Sequence, residues 1–300
     1  MKHVTVLMGG LSSEREVSLK SGAAVNKALK ELGYQVSIVD VGRDLPAKLA
    51  ELKPDIIFNA LHGTYGEDGC VQGLCEIMGI PYTHSGVQAS ALCMNKEYTQ
   101  SLLKSHNIPV AESYYFDDLD EIGADIMDFP FVLKPVAEGS SVGVSIIKSV
   151  EDLKKAKTEW HFGRAMVEKY IPGKELSVAV LESPEPNALG VIELRPKVEF
   201  YDYKAKYTDG ITEHIMPAPL SEKEINKVKS LAVKAHKALQ CHALSRADFR
   251  YDGNEFYILE VNTHPGMTEL SLVPEIANYV GINFRDLIEI LVKKAKYHNS

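Results

Sequence analysis

The chain has 300 residues, of which 45% are hydrophobic and 25% are charged, and its formal net charge is −8. This composition is typical of a globular protein that is large enough for a sizeable core and for more than one domain. A general nucleic-acid binder or a protein of anionic membrane surfaces would be more basic, so the charge argues against both classes.

No apolar stretch approaches the roughly 20 residues that span a bilayer. The first residues run directly into a strand and a glycine turn, without the cleavage site of a signal peptide. The four cysteines form no C-x-x-C pair and suit neither a zinc site nor a disulfide framework. We therefore expect reduced core thiols in a cytoplasmic protein, and oxygen ligands for any metal ion.

Strands and helices alternate along residues 1–92. The apolar pattern predicts strands at His3–Met8, Gln35–Asp40 and Asp55–Leu61. It predicts a helix at Ser13–Leu32. Such alternation is typical of a parallel sheet in an α/β domain. Ser13 and Glu16 have the spacing of a capping box at the start of the first helix, which leaves Glu14 without a local structural role.

The middle of the chain, residues 93–180, contains β-rich stretches around a Gly/Ser loop, with a helix near Lys96–Ser105. This pattern predicts a small antiparallel sheet with helices packed on it, an α+β lobe. Residues 181–300 contain further strands and a long amphipathic helix, which begins at a capping box formed by Ser221 and Glu224.

A polar cluster is predicted after that helix. The turn signal Asp252-Gly253-Asn254 lies between two strand-like runs and predicts a β-hairpin. With a three-residue loop, one face of the hairpin carries the polar side chains Arg246, Asp248, Glu260 and Asn262. The opposite face is then the core face, made of Ala247, Phe249, Tyr251, Tyr257, Leu259 and Val261. In this register Asp248 is diagonal to Glu260 and within cross-strand reach.

Two interpretations of this polar face are open. Its acid and amide oxygens suit Mg²⁺, which usually binds one or two carboxylates together with substrate phosphates. The alternative is a solvated face that contains an Arg–Glu ion pair, since short motifs arise readily by chance.

The glycine-rich stretch "KPVAEGSSVGVS", residues 134–145, lies between two predicted strands. Small residues let backbone N–H groups approach an anion closely, and Lys134 at the end of the preceding strand could meet a phosphate as a point charge. The pattern matches neither the Walker-type loop nor the dinucleotide fingerprint. A plain hairpin turn is the alternative, but the loop and the acidic hairpin together indicate a phosphate cradle beside a metal site.

Six motifs occur in the order found in D-alanine–D-alanine ligases, which are members of the ATP-grasp superfamily. They are "MGGLSSEREVSLKSG", "NALHGTYGEDG", "KPVAEGSSVGVS", "YDYKAKY", "SRADFR" and "LEVNTHPGMTELSLVP". The chain resembles this family from Val4 to about Pro274. The resemblance implies a three-lobed ATP-grasp architecture, with an N-terminal parallel-sheet (pre-ATP-grasp) domain at 1–92, a central lobe at 93–180 and a C-terminal lobe at 181–300.

The resemblance also implies that ATP lies between the central and C-terminal lobes. The positions that match nucleotide contacts are Lys96, Lys134, Glu138, Gly139, Ser140, Ser141, Glu168, Lys169, Tyr170, Ile171 and Glu175. Within this set, residues 168–171 match the adenine hinge, Glu175 matches the ribose contact, and the loop at 138–143 closes over the phosphates. The ligands of two Mg²⁺ ions, for which Mn²⁺ is an alternative, are matched by Asp248, Glu260 and Asn262. A monovalent cation is a further candidate ion.

For the first substrate, the resemblance implies that Glu14 receives the ammonium group of a D-alanine. Ser140 and Tyr207 match the hydrogen-bonded partners of Glu14. His62 matches a histidine near this substrate. Lys206 lies beside Tyr207 in the sequence and is included among the catalytic residues.

For the second substrate, Ser271 and Leu272 match the pocket that binds the carboxylate of another D-alanine. Gly266 matches a part of the oxyanion site, and Arg246 matches the arginine that stabilises the transferring phosphate. A loop at roughly 196–212 is expected to close over the site.

The implied reaction is the ATP-dependent ligation of two D-alanines through D-alanyl phosphate, for peptidoglycan precursors in the bacterial cytoplasm. The expected partners are ATP, the two D-alanines and a second copy of the chain in a homodimer, with no nucleic acid or membrane. A D-alanine–D-lactate ligase is the closest alternative, and Tyr207 argues against it. A regulatory ATP-binding protein and a nicotinamide oxidoreductase are further alternatives, the latter without a dinucleotide fingerprint.

Overall fold

The computed structural model describes residues 2–139, 141–196, 212–268 and 271–298 of the chain. These residues form one parallel sheet and two antiparallel sheets, with α-helices between and around them. Among the described residues, no helix combines the length and the apolar character that a membrane span requires.

The first sheet is parallel and has three strands, in the order β2–β1–β3. Its strands are β1 His3–Met8, β2 Gln35–Asp40 and β3 Ile56–Asn59. The helices of this part of the chain are α1 Arg15–Glu31, α2 Leu45–Leu52, α3 Cys70–Met78 and α4 Val87–Met94. The predicted α/β organisation is confirmed. The chain leaves the carboxyl ends of β1 and β3 in the loops that carry Glu14 and His62, so both side chains lie at the same edge of the sheet.

The predicted capping box of α1 is wrong. Glu14 stands at the N-cap position, and no side-chain capping hydrogen bond is made there. Ser12 organises this turn instead of Ser13, because its hydroxyl donates to the carbonyl of His62 (2.6 Å) and accepts from the backbone N–H of Glu14 (3.2 Å). The start of α1 is therefore tied to the loop after β3.

The second sheet is antiparallel and has four strands, in the order β4–β7–β5–β6. They are β4 Ser113–Phe116, β5 Phe131–Pro135, β6 Ser145–Ile147 and β7 Ala165–Lys169. This lobe also contains α5 Lys96–Ser105, a short 3-10 turn at Leu119–Glu121 and α6 Val150–Glu159. The predicted antiparallel α+β lobe and the helix at Lys96–Ser105 are confirmed, and the glycine-rich loop joins β5 to β6.

The third sheet is antiparallel and has five strands, in the order β10–β9–β8–β11–β12. They are β8 Lys174–Glu182, β9 Pro186–Pro196, β10 Thr212–Ile215, β11 Leu244–Tyr251 and β12 Phe256–Asn262. Its helices are α7 Glu222–Ala238, α8 Leu272–Tyr279 and α9 Phe284–Lys294. The capping box of Ser221 and Glu224 is confirmed at the start of α7.

Both faces of this third sheet are buried. On β8, Ala179 and Leu181 pack into the core shared with β1, β3 and α9, whereas Val178 and Val180 pack against the apolar stripe of α7. Strand β8 also crosses residue 180, the predicted boundary between the second and third lobes. The division into 1–92, 93–180 and 181–300 stays a prediction.

One expectation about the cysteines is wrong. Cys75 and Cys241 are buried and Cys93 is half-buried, but Cys70 is exposed at the start of α3 and is not a core thiol.

Candidate active site

The acidic hairpin formed by β11 and β12 has a different register from the predicted one. Tyr251 pairs with Phe256, so the loop has four residues rather than three. A β-bulge then shifts the register between Asp248 and Phe249, and Asp248 lies directly opposite Glu260. The two carboxylates are therefore closer neighbours than in the predicted diagonal arrangement, since directly opposed side chains have Cβ atoms about 5 Å apart.

The bulge also changes which residues form the core face of β12. Phe256 and Ile258 are buried, whereas the predicted core residues Tyr257 and Leu259 are only half-buried. Leu259 is the extra residue at the bulge, and it reverses the alternation of the strand, so that Val261 also points into the core. The longer loop shifts the register of β12 by one residue, and the bulge shifts it by one more. Together the two shifts return Glu260 and Asn262 to the predicted polar face.

Asp248 lies in a dense hydrogen-bond environment. Ser177, its partner on β8, donates a hydrogen bond of 2.5 Å to Oδ1. The Arg246 guanidinium donates through Nε to Oδ1 (2.9 Å) and through Nη2 to Oδ2 (2.7 Å). The arginine and the carboxylate are two residues apart on one strand, so they share a face of the sheet. These contacts fix the carboxylate next to Glu260.

The donor set of this face fits Mg²⁺. Asp248 and Glu260 supply carboxylate oxygens, and Asn262, which pairs with Arg246, supplies an amide oxygen held by the backbone N–H of His264 at 2.7 Å. Across the described residues, no group of three or more His, Cys, Asp or Glu could hold a metal ion by itself. Two carboxylates and one amide oxygen suit an ion that also binds the phosphates of a nucleotide.

Lys96 connects the glycine-rich loop to this acidic face. Its Nζ donates to the carbonyl of Glu138 at 2.6 Å and lies 3.9 Å from Oε2 of Glu260. Its backbone N–H is bonded to the carbonyl of Val136, so the start of α5 is fixed to the strand end that leads into the loop. The sequence-predicted lysine, phosphate loop and acidic strand thus meet at one place.

Lys134 and Glu168 form a buried ion pair on the neighbouring strands β5 and β7. Lys134 Nζ lies 2.6 Å from Oε2 of Glu168, and both side chains are buried. Gln100 donates to the other carboxylate oxygen at 2.8 Å and accepts a hydrogen bond of 2.7 Å from Ser113. The predicted nucleotide lysine and the first residue of the predicted hinge are therefore bonded to each other.

The rest of the predicted hinge runs from the last residue of β7 into the loop after it. Tyr170 is half-buried, Ile171 is buried and Lys169 is exposed. The carbonyl of Ile171 accepts a hydrogen bond from Arg250, and so does the carboxylate of Glu175, the predicted ribose contact. The structure therefore brings hinge and ribose position together around an arginine that the sequence analysis did not select.

Glu14 lies against the glycine-rich loop. A Cβ added at Gly139 would lie 3.4 Å from Oε2 of Glu14, and one added at Gly63 would lie 3.1 Å from the same atom. The Glu14 carboxylate is buried between these two backbone segments. Ser141 has a φ of 59°, in the left-handed region, and the backbone N–H of Val142 bonds to the carbonyl of Gly139.

His62 is buried at the same edge of the first sheet as Glu14. Its Nδ1 lies 3.1 Å from a carboxylate oxygen of Glu67, and its Nε2 lies 3.1 Å from the hydroxyl of Ser21. Burial raises the pKa of the Glu67 carboxyl, and the hydrogen bond with His62 acts in the opposite direction. The Ser21 hydroxyl also accepts from the backbone N–H of Met267, which joins α1 to the segment after β12.

The predicted second-substrate residues cluster at the start of α8. A Cβ at Gly266 would lie 2.9 Å from the hydroxyl of Ser271, so only glycine fits there without displacement. Ser271 is the N-cap residue of α8 and Leu272 is the first helical residue. The hydroxyl of Ser271 accepts from the backbone N–H of Thr268 at 3.1 Å. A helix N-terminus with nearby backbone N–H groups favours binding of a carboxylate.

Three predicted site residues, Ser140, Lys206 and Tyr207, lie outside the described residues, as does almost all of the predicted closing loop. Ser177 and Arg250 are functional candidates that the sequence analysis missed. A signal for Ser177 exists, because a serine two residues after Glu175 in an otherwise apolar strand shares its face with that carboxylate.

Comparisons with known proteins identify the family of the chain. Residues 102–293 match the family model described as D-ala D-ala ligase C-terminus, and residues 45–85 match D-ala D-ala ligase N-terminus. The chain is 48% identical over 302 residues to the D-alanine–D-alanine ligase of Rickettsia canadensis, covering 99% of this chain and 84% of the relative. It is 49% identical over 300 residues to the ligase of Rhodospirillum rubrum, covering 98% of each.

A solved structure has the same fold over almost its whole length. The D-alanine–D-alanine ligase from Bacillus anthracis complexed with ATP superimposes with a TM-score of 0.85 at 28% identity, covering 98% of this chain and 97% of that one. The sequence-based predictions of an ATP-grasp fold and of a ligase are confirmed. The chain belongs to the D-alanine–D-alanine ligase family.

Proposed function

We propose that this chain joins two D-alanine molecules to D-alanyl-D-alanine with conversion of ATP to ADP and phosphate, and so supplies peptidoglycan precursors. The observation that carries the proposal is the direct pairing of Asp248 with Glu260, with Lys96 3.9 Å from Glu260 and bonded to the glycine-rich loop. This arrangement offers two carboxylates, a cation and closely approaching backbone at one point, as phosphoryl transfer requires.

The first chemical step activates a carboxylate. An oxygen of the first D-alanine attacks the γ-phosphorus of ATP, the bond between that phosphorus and the β–γ bridging oxygen breaks, and ADP leaves. Such a transfer needs positioning and charge stabilisation more than covalent help from the protein. Lys96 and Lys134, both buried, are the cations proposed to meet the phosphates, and Arg246 is proposed to stabilise the transferring group.

The second step forms the peptide bond. The neutral amine nitrogen of the second D-alanine attacks the acyl carbon of D-alanyl phosphate. Phosphate leaves from the tetrahedral intermediate and takes up the proton that the nitrogen loses. Glu14 is proposed to hold the ammonium group of the first D-alanine, with His62 nearby. Ser271 and Leu272 are proposed to bind the second carboxylate at the N-terminus of α8, and Gly266 allows the close approach that an oxyanion site needs.

Asp248, Glu260 and Asn262 are the residues proposed to hold two Mg²⁺ ions. When bound, these ions neutralise charge on the phosphates during the transfer. The residues of the chain position the nucleotide and exclude water, which would otherwise hydrolyse the acyl phosphate.

Further parts of the proposal rest on the family resemblance alone. These are the three-lobe boundaries, the roles of Ser140, Lys206 and Tyr207, the closing loop, the homodimer and the cytoplasmic location.

The proposal is tested by an ADP-release assay with D-alanine, with D-lactate as an alternative acceptor, and without any second substrate. Asp248→Asn and Glu260→Gln should each lower kcat about 10³-fold, as loss of a preorganised charge does in comparable sites. Glu255→Gln is the matched control, because Glu255 lies in the same hairpin but pairs with the surface residue Lys227. Activity of Asp248→Asn close to that of the unmodified enzyme, or activity that is indifferent to a chelator, would contradict the metal role.

A further inference from the structure

Arg250 contacts the hinge, the loop that follows it and the start of β8. Its Nε donates to the carbonyl of Ile171 at 3.0 Å, and its Nη2 donates to the carbonyl of Gly173 at 3.0 Å. Its Nη1 lies 3.3 Å from Oε2 of Glu175, and the guanidinium carbon lies 5.9 Å from the centre of the Tyr170 ring. One side chain therefore binds two backbone carbonyls of the loop after β7 and the carboxylate of Glu175 on β8.

The strand register explains why this arginine reaches the hinge. On β11, residues 246, 248 and 250 are two apart and point to the same face. Arg250 pairs with Glu175 on β8, just as Asp248 pairs with Ser177. The same strand face thus carries the metal-side carboxylate at one end and the hinge arginine at the other.

The backbone of the hinge is seated directly on the hairpin. Gly173 has a φ of 105°, which favours glycine, and an added Cβ would lie 2.2 Å from the carbonyl oxygen of Tyr251. The chain at residue 173 therefore lies directly against the hairpin, and the hydrogen bonds of Arg250 add further contacts between the two.

We propose that Arg250 is a positioning residue for the nucleotide, which holds residues 170–173 and the Glu175 carboxylate in the geometry that receives the adenosine half of ATP. This inference rests on the proposed function for its substrate, ATP. Arg250 acts through Glu175 and the hinge carbonyls rather than on the reacting phosphate.

Lysine is a poor replacement at this position. The planar guanidinium donates to three acceptors in fixed directions, whereas an ammonium group is a point charge on a flexible stem. Arg250→Lys keeps the charge and most of the packing but loses the fork geometry, so it separates positioning from mere charge.

The test measures binding of Mg²⁺-ATP and of Mg²⁺-2′,3′-dideoxy-ATP by calorimetry, together with steady-state kinetics. Arg250→Leu should raise Kd and KM for ATP on the order of tenfold, the effect of losing hydrogen bonds to a charged group. It should change kcat less than about threefold, since the phosphate end is untouched. The preference for ATP over the dideoxy nucleotide should shrink, because Glu175 loses its orientation. Arg250→Lys should show the same pattern more weakly.

Arg285→Leu is the control, since Arg285 is an exposed arginine on α9, remote in sequence from the hinge. Thermal unfolding of each variant shows whether it is folded, and Arg250→Lys serves if Arg250→Leu is not. Unchanged Kd for ATP, an unchanged ratio between the two nucleotides, or a loss confined to kcat would overturn the inference. Nucleotide binding is measured without D-alanine, so a chain that lacks D-alanine-dependent ADP release could still support the role of Arg250.

Discussion

Two buried polar regions of the molecule differ in how completely their hydrogen bonds are formed. The first, the Glu168 network, consists of Glu168, Lys134, Gln100, Ser113 and Tyr115. Each oxygen of the Glu168 carboxylate has a partner, Lys134 at 2.6 Å and Gln100 at 2.8 Å. The amide oxygen of Gln100 in turn accepts from the hydroxyls of Ser113 and Tyr115.

The second region, the imidazole cluster, consists of His84, His264, His242 and His298. The rings of His84 and His264 lie 4.7 Å apart, and those of His242 and His298 lie 4.9 Å apart. Nε2 of His84 and Nε2 of His298 have no hydrogen-bond partner within the described ranges. Burial lowers the pKa of His84 to about 3 and that of His298 to about 4, so both rings are neutral near pH 7.

The contrast shows where this fold can hold charge inside. A buried charge is tolerated when it is paired and its remaining lone pairs are bonded. The Glu168 network meets that condition beside the proposed nucleotide site, whereas His84 and His298 of the imidazole cluster do not. His84 and His264 therefore pack as neutral rings, with His84 edge-on against Phe58 of β3.

The largest expected effect comes from breaking the Glu168 network. Glu168→Leu leaves the Lys134 ammonium buried without its carboxylate, and we expect a loss of about 4 kcal/mol in the free energy of unfolding. Urea denaturation measures this loss, with the m-value as a check that unfolding is still two-state.

The double variant Lys134→Met/Glu168→Leu tests whether charge isolation is the cause. Replacing a whole buried ion pair by apolar side chains is often close to neutral, so the double variant should recover at least about half of the lost free energy. The double variant should not release ADP, because it lacks Lys134, a proposed phosphate contact. A double variant less stable than Glu168→Leu alone would refute this account of the pair.

The second prediction concerns pH. Because the pKa of His84 in the folded chain is about 3, below the ordinary value of about 6.5, the unfolded chain takes up a proton first as the pH falls. The stability that depends on the neutral ring is fully present above pH 6.5. Below that pH the free energy of unfolding declines toward pH 3, and it is lower by about 2 kcal/mol at pH 5. The groups that lower this pKa, after burial itself, are His62 and His242.

His84→Asn should remove this part of the pH dependence. Asparagine tolerates the left-handed backbone, and His84 has a φ of 71°. Urea denaturation of both proteins at pH 7.5 and pH 5 should show a smaller drop for the variant, whatever its stability at the higher pH. His161→Asn, at an exposed histidine, is the control. An equal drop for His84→Asn and the unmodified chain would mean that other groups control acid stability.

The sequence was informative where the signal is local. Alternating apolar residues located β1 and β2 with their observed bounds, and the Ser-x-x-Glu pattern located the start of α7. The same pattern failed at α1, because the turn there is determined by a hydrogen bond from Ser12 to the carbonyl of His62, 50 residues away in the sequence. A local motif cannot report such a long-range partner.

The candidate site shows the same limit. The polar face of β11 was predicted from residue spacing, but the bulge at Leu259 was not, because it depends on which side chains of β12 the core accepts. Ser177 and Arg250 were missed because their roles arise from the pairing of β8 with β11, two strands more than 60 residues apart. Register between distant strands is a tertiary property.

The smallest expected effect comes from replacing two buried threonines, one whose hydroxyl has a hydrogen-bond partner and one whose hydroxyl has none in the described part of the chain. The hydroxyl of Thr5 has no hydrogen-bond partner among the described residues, whereas that of Thr83 accepts from the backbone N–H of Asn59 at 3.1 Å and lies 3.0 Å from Nδ1 of His84. Valine has nearly the same shape as threonine and lacks the hydroxyl. Thr5→Val should therefore leave the free energy of unfolding unchanged or raise it by up to about 1 kcal/mol, while Thr83→Val should lower it by roughly 1–2 kcal/mol by leaving Asn59 unpaired. Thermal unfolding of the two variants side by side measures the difference, and equal destabilisation by both would show that the Thr5 hydroxyl is bonded after all.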